Sequence, residues 1–138
     1  MTFREKSAWL MMVLLVLASA CYASLFQNAS GDLGRTAPAA TALPFVLAVI
    51  LLSVVGQIVL ALTSLGEAAA PADERERRAQ HKAASLSGFV FAAGVVSALG
   101  YYLLRPDGDL LFHLVFASLI IAQLADYGLQ IVFFRRGA

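Results

Sequence analysis

The sequence predicts an all-α protein, an integral membrane four-helix bundle built from two antiparallel helical hairpins with both termini cytoplasmic. Three observations carry this. Of the 138 residues 60% are hydrophobic and 14% charged, whereas soluble domains have roughly 45–50% apolar and about 25% charged residues. Four apolar stretches are each long enough to cross a bilayer, whose hydrocarbon core is about 30 Å thick. One long polar interruption, Pro71 to Lys82 (PADERERRAQHK), divides these stretches into two pairs. A run so dense in charge is too costly for hydrocarbon and lies in water. The length suits one transmembrane domain over residues 1–138, with helices at about 8–26, 42–65, 73–104 (its start cytoplasmic) and 110–134.

The first helix begins at the amino end, where Thr2 and Glu5 have capping-box spacing. Ala8 to Phe26 is then 19 residues without a charge, about 28 Å of helix. This stretch has a second reading, because Ala18-Ser19-Ala20 is an A-x-A pattern behind a basic start and an apolar run, followed directly by Cys21. Its length favours retention as a span over cleavage after Ala20. Gln27 to Ala40, with Gly, Ser, Thr and Pro38, reads as a loop. Asn28-Ala29-Ser30 in it fits the N-glycosylation pattern, which is common by chance.

Ala42 to Leu65 gives 24 uncharged residues, a second span with Pro44 tolerated in its first turn. Ser53, Gln57, Ala61 and Ser64 recur on one face and read as a packing seam. The third helix starts in the polar run, with Asp73 as cap and Glu76 as its reciprocal partner. Asp73 with Arg77, and Glu74 with Arg78, are acid-before-base pairs at i, i+4. The hydrophobic part, Ala83 to Leu104, carries small residues four apart: Ala84 with Gly88, Gly88 with Ala92, and Gly94 with Ala98. That spacing permits close helix contact. Tyr101 and Tyr102 suit the interface at its far end. Arg105-Pro106-Asp107-Gly108-Asp109 is a compact turn, so the third and fourth helices are expected to pair.

Leu110 to Phe134 holds the most unusual polar content: His113, Gln123, Asp126 and Gln130. The last three are spaced i, i+3, i+7 on one face. Asp126 stands about 6 Å along the axis from the middle of this helix. An ionised carboxylate there costs at least about 2.5 kcal/mol unless it is paired or wetted. It is the candidate for chemistry, as an intramembrane polar site with Gln123, Gln130 and Gln57. The competing reading is structural, with Asp126 accepting hydrogen bonds from Gln57, Ser53 or tyrosines. A lone His113 reads as a hydrogen-bonded wall residue.

Orientation follows from the basic residues. Arg4 and Lys6, then Arg75, Arg77, Arg78 and Lys82, then Arg135 and Arg136 make eight of the ten Lys and Arg. Four spans place these three regions on one side, which the positive-inside rule makes cytoplasmic. Asp73, Glu74, Arg75, Arg77, Arg78, Lys82, Arg135 and Arg136 thereby form a candidate interaction surface there. The net charge of +1 gives no footprint for direct nucleic-acid binding. Cys21 as the sole cysteine excludes an intrachain disulfide and a cysteine-rich metal site. G-x-S-x-G, H-E-x-x-H and phosphate-cradling glycine loops do not occur in the sequence, so it reads as a non-enzyme without metal or cofactor.

Phe3-Arg4-Glu5-Lys6-Ser7-Ala8-Trp9, the Asp73-Glu74-Arg75 start of the third helix and the close from Tyr127 to Gly137 resemble small four-helix bacterial inner-membrane proteins of unknown function. The similarity covers most of the chain. It implies a bacterial inner-membrane location and, because such proteins neighbour small helix-turn-helix regulators in genomes, a soluble cytoplasmic regulator as partner. Where that family often has further polar residues after the charged start, this chain has Ala83-Ala84. Two functions are therefore expected to compete. One is a regulatory or scaffolding membrane protein presenting its charged surface to a soluble partner. The other is a small proton- or cation-coupled transporter, acting as a homodimer through Asp126.

Overall fold

The computed structural model describes residues 3–28, 38–63, 66, 71 and 73–136. Within them are four helices, α1 (Phe3–Asn28), α2 (Pro38–Thr63), α3 (Glu74–Leu104) and α4 (Gly108–Arg136). Each contains a stretch long and apolar enough to cross a membrane. At 1.5 Å per residue, α3 with its 31 residues runs about 46 Å, so its ends reach well beyond a hydrocarbon core of about 30 Å.

The helix ends depart from the sequence expectation in instructive ways. Residues 38–40 belong to α2 rather than to a loop, and Gln27 and Asn28 extend α1. Pro38 opens α2, a position where the missing N–H costs nothing, while Pro44 lies in the helix interior instead of its first turn. The turn before α4 ends sooner than expected because Asp107 is a cap: its Oδ1 accepts the backbone N–H of Asp109 and of Leu110, each at 3.1 Å. Two orphan donors of the first turn are thereby satisfied. Ala18-Ser19-Ala20 falls inside the unbroken α1. The glycosylation pattern at 28–30, Thr2 of the capping box and Ser64 of the α2 seam lie wholly or partly outside the described residues.

The most extensive contact is between α3 and α4; α4 also packs along α1, α1 along α2, and α2 touches α4 over a short stretch. Small residues make these approaches possible. Six of the nine buried apolar residues among those described are alanines: Ala8, Ala42, Ala79, Ala83, Ala98 and Ala122. Gly94 of α3 is the tightest point, where a Cβ would lie 2.6 Å from the Cβ of Ser118. Gly88 and Gly100 have open space instead, and Ala84 and Ala92 are exposed. Of the small-residue pairs in α3, then, Gly94 with Ala98 packs on α4 and the pairs through Gly88 do not. Large apolar side chains point outward, above all on α2, where Leu51 and Leu62 are 65% and 64% exposed. Such a distribution suits a surface whose solvent is lipid, since exposing it to water would be unfavourable.

Candidate functional site

The polar residues gather at the two ends of the bundle, with a few side chains between. At one end, Arg4 of α1 meets Glu76 of α3 (Nε to Oε2, 3.2 Å) and Arg135 of α4 meets Glu5 of α1 (Nε to Oε1, 3.2 Å). Glu76 and Glu5 are the sheltered members of these pairs. Arg135 also lies over the Trp9 ring, 5.6 Å from its centre, a cation–π contact. Three helix ends are thus joined by charge. The Glu74–Arg78 pair forms at 3.3 Å as the spacing predicts. The Asp73–Arg77 pair does not form through side chains; only the Arg77 N–H bonds the Asp73 carbonyl, at 3.0 Å.

Asp73 occupies the cap position of α3, but its side chain makes no capping bond. The reciprocal partner expected at Glu76 reaches across to Arg4 instead, where the guanidinium adds an opposite full charge to the hydrogen bond that a backbone N–H lacks. Of the predicted interaction surface, Arg75, Arg77, Lys82 and Arg136 remain, all exposed and in no ion pair among the described residues. Arg78 and Arg135 are already spent on contacts within the chain.

Of the four predicted polar residues only Gln130 and Asp126 come together. Gln130 donates to Asp126 Oδ2 at 3.0 Å, one turn away on the same helix. Asp126 Oδ1 is buried and without a hydrogen-bond partner among the described residues. Gln57 pairs with Ser7 of α1, its Nε2 donating to Ser7 Oγ at 2.8 Å. Ser53 bonds the Val49 carbonyl of its own helix, so neither supports Asp126. The physical reason is packing order: α2 lies along α1 and meets α4 only briefly. Gln123 is exposed and makes no hydrogen bond to another described residue.

The opposite end is held by aromatic rings. Tyr22 Oη lies 2.7 Å from His113 Nδ1, and Tyr22, Phe45 and Phe116 bring α1, α2 and α4 together with ring centres 5.1–5.5 Å apart. Phe112 stacks on Phe116 at 5.9 Å. The edge-to-face geometry of Phe45 on Phe116 is one that ring quadrupoles favour. His113 is a hydrogen-bonded wall residue, as its sequence setting suggests, but neither its partner nor the ring cluster follows from the sequence pattern. The signal was there in Phe112, His113 and Phe116, which share a turn, although nothing local points to Tyr22 or Phe45.

No family model, curated protein or solved structure matches the chain. The functional reading therefore rests on the site alone. Among the described residues no three His, Cys, Asp or Glu side chains gather as a metal site requires. A groove of about 500 Å³ runs between α3 and α4, lined by Gly94, Ala98, Tyr101, Leu114 and Ser118 among others, and is largely apolar and open at the side. Its walls carry no titratable group except Tyr101, so it offers no acid–base chemistry beyond that phenol.

Proposed function

We propose that this chain is a multi-pass protein of a bacterial inner membrane, arranged as two antiparallel hairpins with both termini in the cytoplasm. In this reading it is a regulatory or scaffolding protein that holds a soluble partner at its cytoplasmic end. The observation that carries it is the division of labour among the charges. Arg4, Glu5, Glu76 and Arg135 tie helix ends together, while Arg75, Arg77, Lys82 and Arg136 stay exposed and unpaired among the described residues. Four unpaired basic side chains at one end, outnumbering the exposed acids Asp73 and Glu74 beside them, favour a partner with an acidic face. The resemblance of the two chain ends to small bacterial membrane proteins supports the same location.

The test is an Arg75→Glu/Arg77→Glu variant, purified in mild detergent beside the unmodified protein. A soluble protein should co-purify in stoichiometric amount with the unmodified chain and be lost from the variant, with equal membrane insertion of both. Equal capture by both, or capture by neither, refutes the reading. Neither arginine is in an ion pair among the described residues, and both are exposed, so the variant separates binding from folding.

A second reading has its own observation, the buried and unpartnered Oδ1 of Asp126. A carboxyl one of whose oxygens is free in mid-span is a proton or cation carrier of the kind that coupled transport uses. On this reading the protein works as a dimer, and Asp126→Asn in proteoliposomes abolishes proton-coupled flux. Flux equal to that of the unmodified protein rejects it.

A further inference from the structure

Gln123 stands one residue past the middle of α4 (Gly108–Arg136), about 1.5 Å along the axis. Its side chain is exposed, and each interface of the hydrocarbon core is about 15 Å away. A primary amide on a two-carbon stem cannot reach either one. It has two N–H donors and a carbonyl acceptor, none bonded to another described residue, and lipid tails supply no partner. Two turns earlier, Phe116 on the same side of α4 packs on Tyr22 and Phe45, but at Gln123 itself the side chain stays exposed among the described residues. The side of α4 bearing His113, Gly128 and Arg135 meets α1, and the side bearing Ser118 meets α3. Phe112 and Leu119, at i−11 and i−4 from Gln123, are also exposed, at 40% and 42%.

We propose that a second copy of this chain docks on this face of α4, with the Gln123 amides of the two copies hydrogen-bonded across a two-fold axis normal to the membrane. The amide is both donor and acceptor, so it is its own complement. A two-fold axis sets a residue that lies at the axis against its own copy, and there one polar side chain satisfies itself where any other protein would have to bring a matching group. Gln side chains act in this way between transmembrane helices. Phe112 and Leu119 provide the apolar flank of the contact. Asp126 follows at i+3 on the same helix, with its Oδ1 buried and unpartnered among the described residues. The dimer surface holds whether or not Asp126 moves protons.

The experiment uses the full chain with Cys21, its only cysteine, replaced by Ala. Leu119→Cys reports on the proposed face, and Ile121→Cys, which lines the α3–α4 groove, reports on another. Oxidation in native membranes should give a disulfide dimer for Leu119→Cys and not for Ile121→Cys. Adding Gln123→Leu should weaken self-association about 3- to 20-fold, the range of measured interhelical hydrogen bonds, and Gln123→Asn should restore most of it. Equal cross-linking at both positions, or a dimer fraction indifferent to Gln123→Leu, overturns the proposal. Leu at an exposed lipid-facing position leaves the fold intact, and insertion and helix content measured on the same samples check that.

Discussion

Replacing Gly94 by alanine tests whether the α3–α4 contact is as close as the packing implies. The added Cβ would lie 2.5 Å from Ser118 Oγ, 2.6 Å from Ser118 Cβ and 3.5 Å from its Cα. Carbon atoms sit comfortably at about 3.5–4.0 Å, so the Cβ–Cβ distance is short by about 1 Å. Turning the hydroxyl away does not help, because Ser118 Cβ is fixed to its backbone and Oγ is held by the Leu114 carbonyl at 2.8 Å. The helices must separate, loosening the buried Ala98 and Ala83 contacts. Overpacking of this kind costs about 1–3 kcal/mol. Reversible unfolding in mixed detergent micelles, followed by circular dichroism, should show that loss for Gly94→Ala. Gly88→Ala and Gly100→Ala, with nothing within 4 Å of the added atom, should show no loss. Ser118→Gly should compensate in the double variant, whereas Ser118→Ala should not, since it leaves the offending Cβ in place. The reasoning fails if Gly94→Ala behaves like Gly88→Ala, or if Ser118→Ala rescues as well as Ser118→Gly.

The polar joints give two further expectations in the same assay. Ser7→Ala strands the half-buried Gln57 amide and should cost about 1–2 kcal/mol, with Ser7→Ala/Gln57→Leu less damaging than Ser7→Ala alone; equal or greater damage in the double variant removes the joint as the cause. Arg4→Glu should destabilise by setting a second acid against Glu76, and Arg4→Glu/Glu76→Arg should recover most of the loss. Glu74→Gln, by contrast, should stay within about 0.5 kcal/mol, because both members of its pair are exposed.

Run length made the four helices legible, since α1 to α4 each follow an apolar stretch of bilayer length. Their ends were less so: the cap at Asp107 and the interior place of Pro44 depend on where the chain turns, which composition registers only loosely. The face shared by Gln123, Asp126 and Gln130 follows from helical period. Which neighbour covers that face does not, and Gln57, the obvious partner, is claimed by Ser7 of α1. Gly88 and Gly94 show the same limit, for each stands four residues from an alanine yet only Gly94 is in tight contact. Arg4–Glu76, Glu5–Arg135 and Tyr22–His113 join residues far apart in sequence, and no local pattern announces such pairs.

The way the chain is held together bears on where its function lies. Alanines dominate the buried apolar positions, and no large side chain among the described residues is fully buried, so apolar packing inside the molecule is thin. The polar and aromatic contacts between α1 and α4 lie toward the two ends: Glu5 with Arg135 at one, Tyr22 with His113 and Phe116 at the other. The ends are thus committed to the fold. The groups left uncommitted are Gln123 and one oxygen of Asp126 in mid-span, and Arg75, Arg77, Lys82 and Arg136 near the charged end. Unmet hydrogen bonds in lipid and unpaired charges in water each call for a different partner. The two proposals assign a second copy to the first requirement and an acidic soluble protein to the second, and because the two surfaces lie apart along the helices, the proposals do not exclude each other.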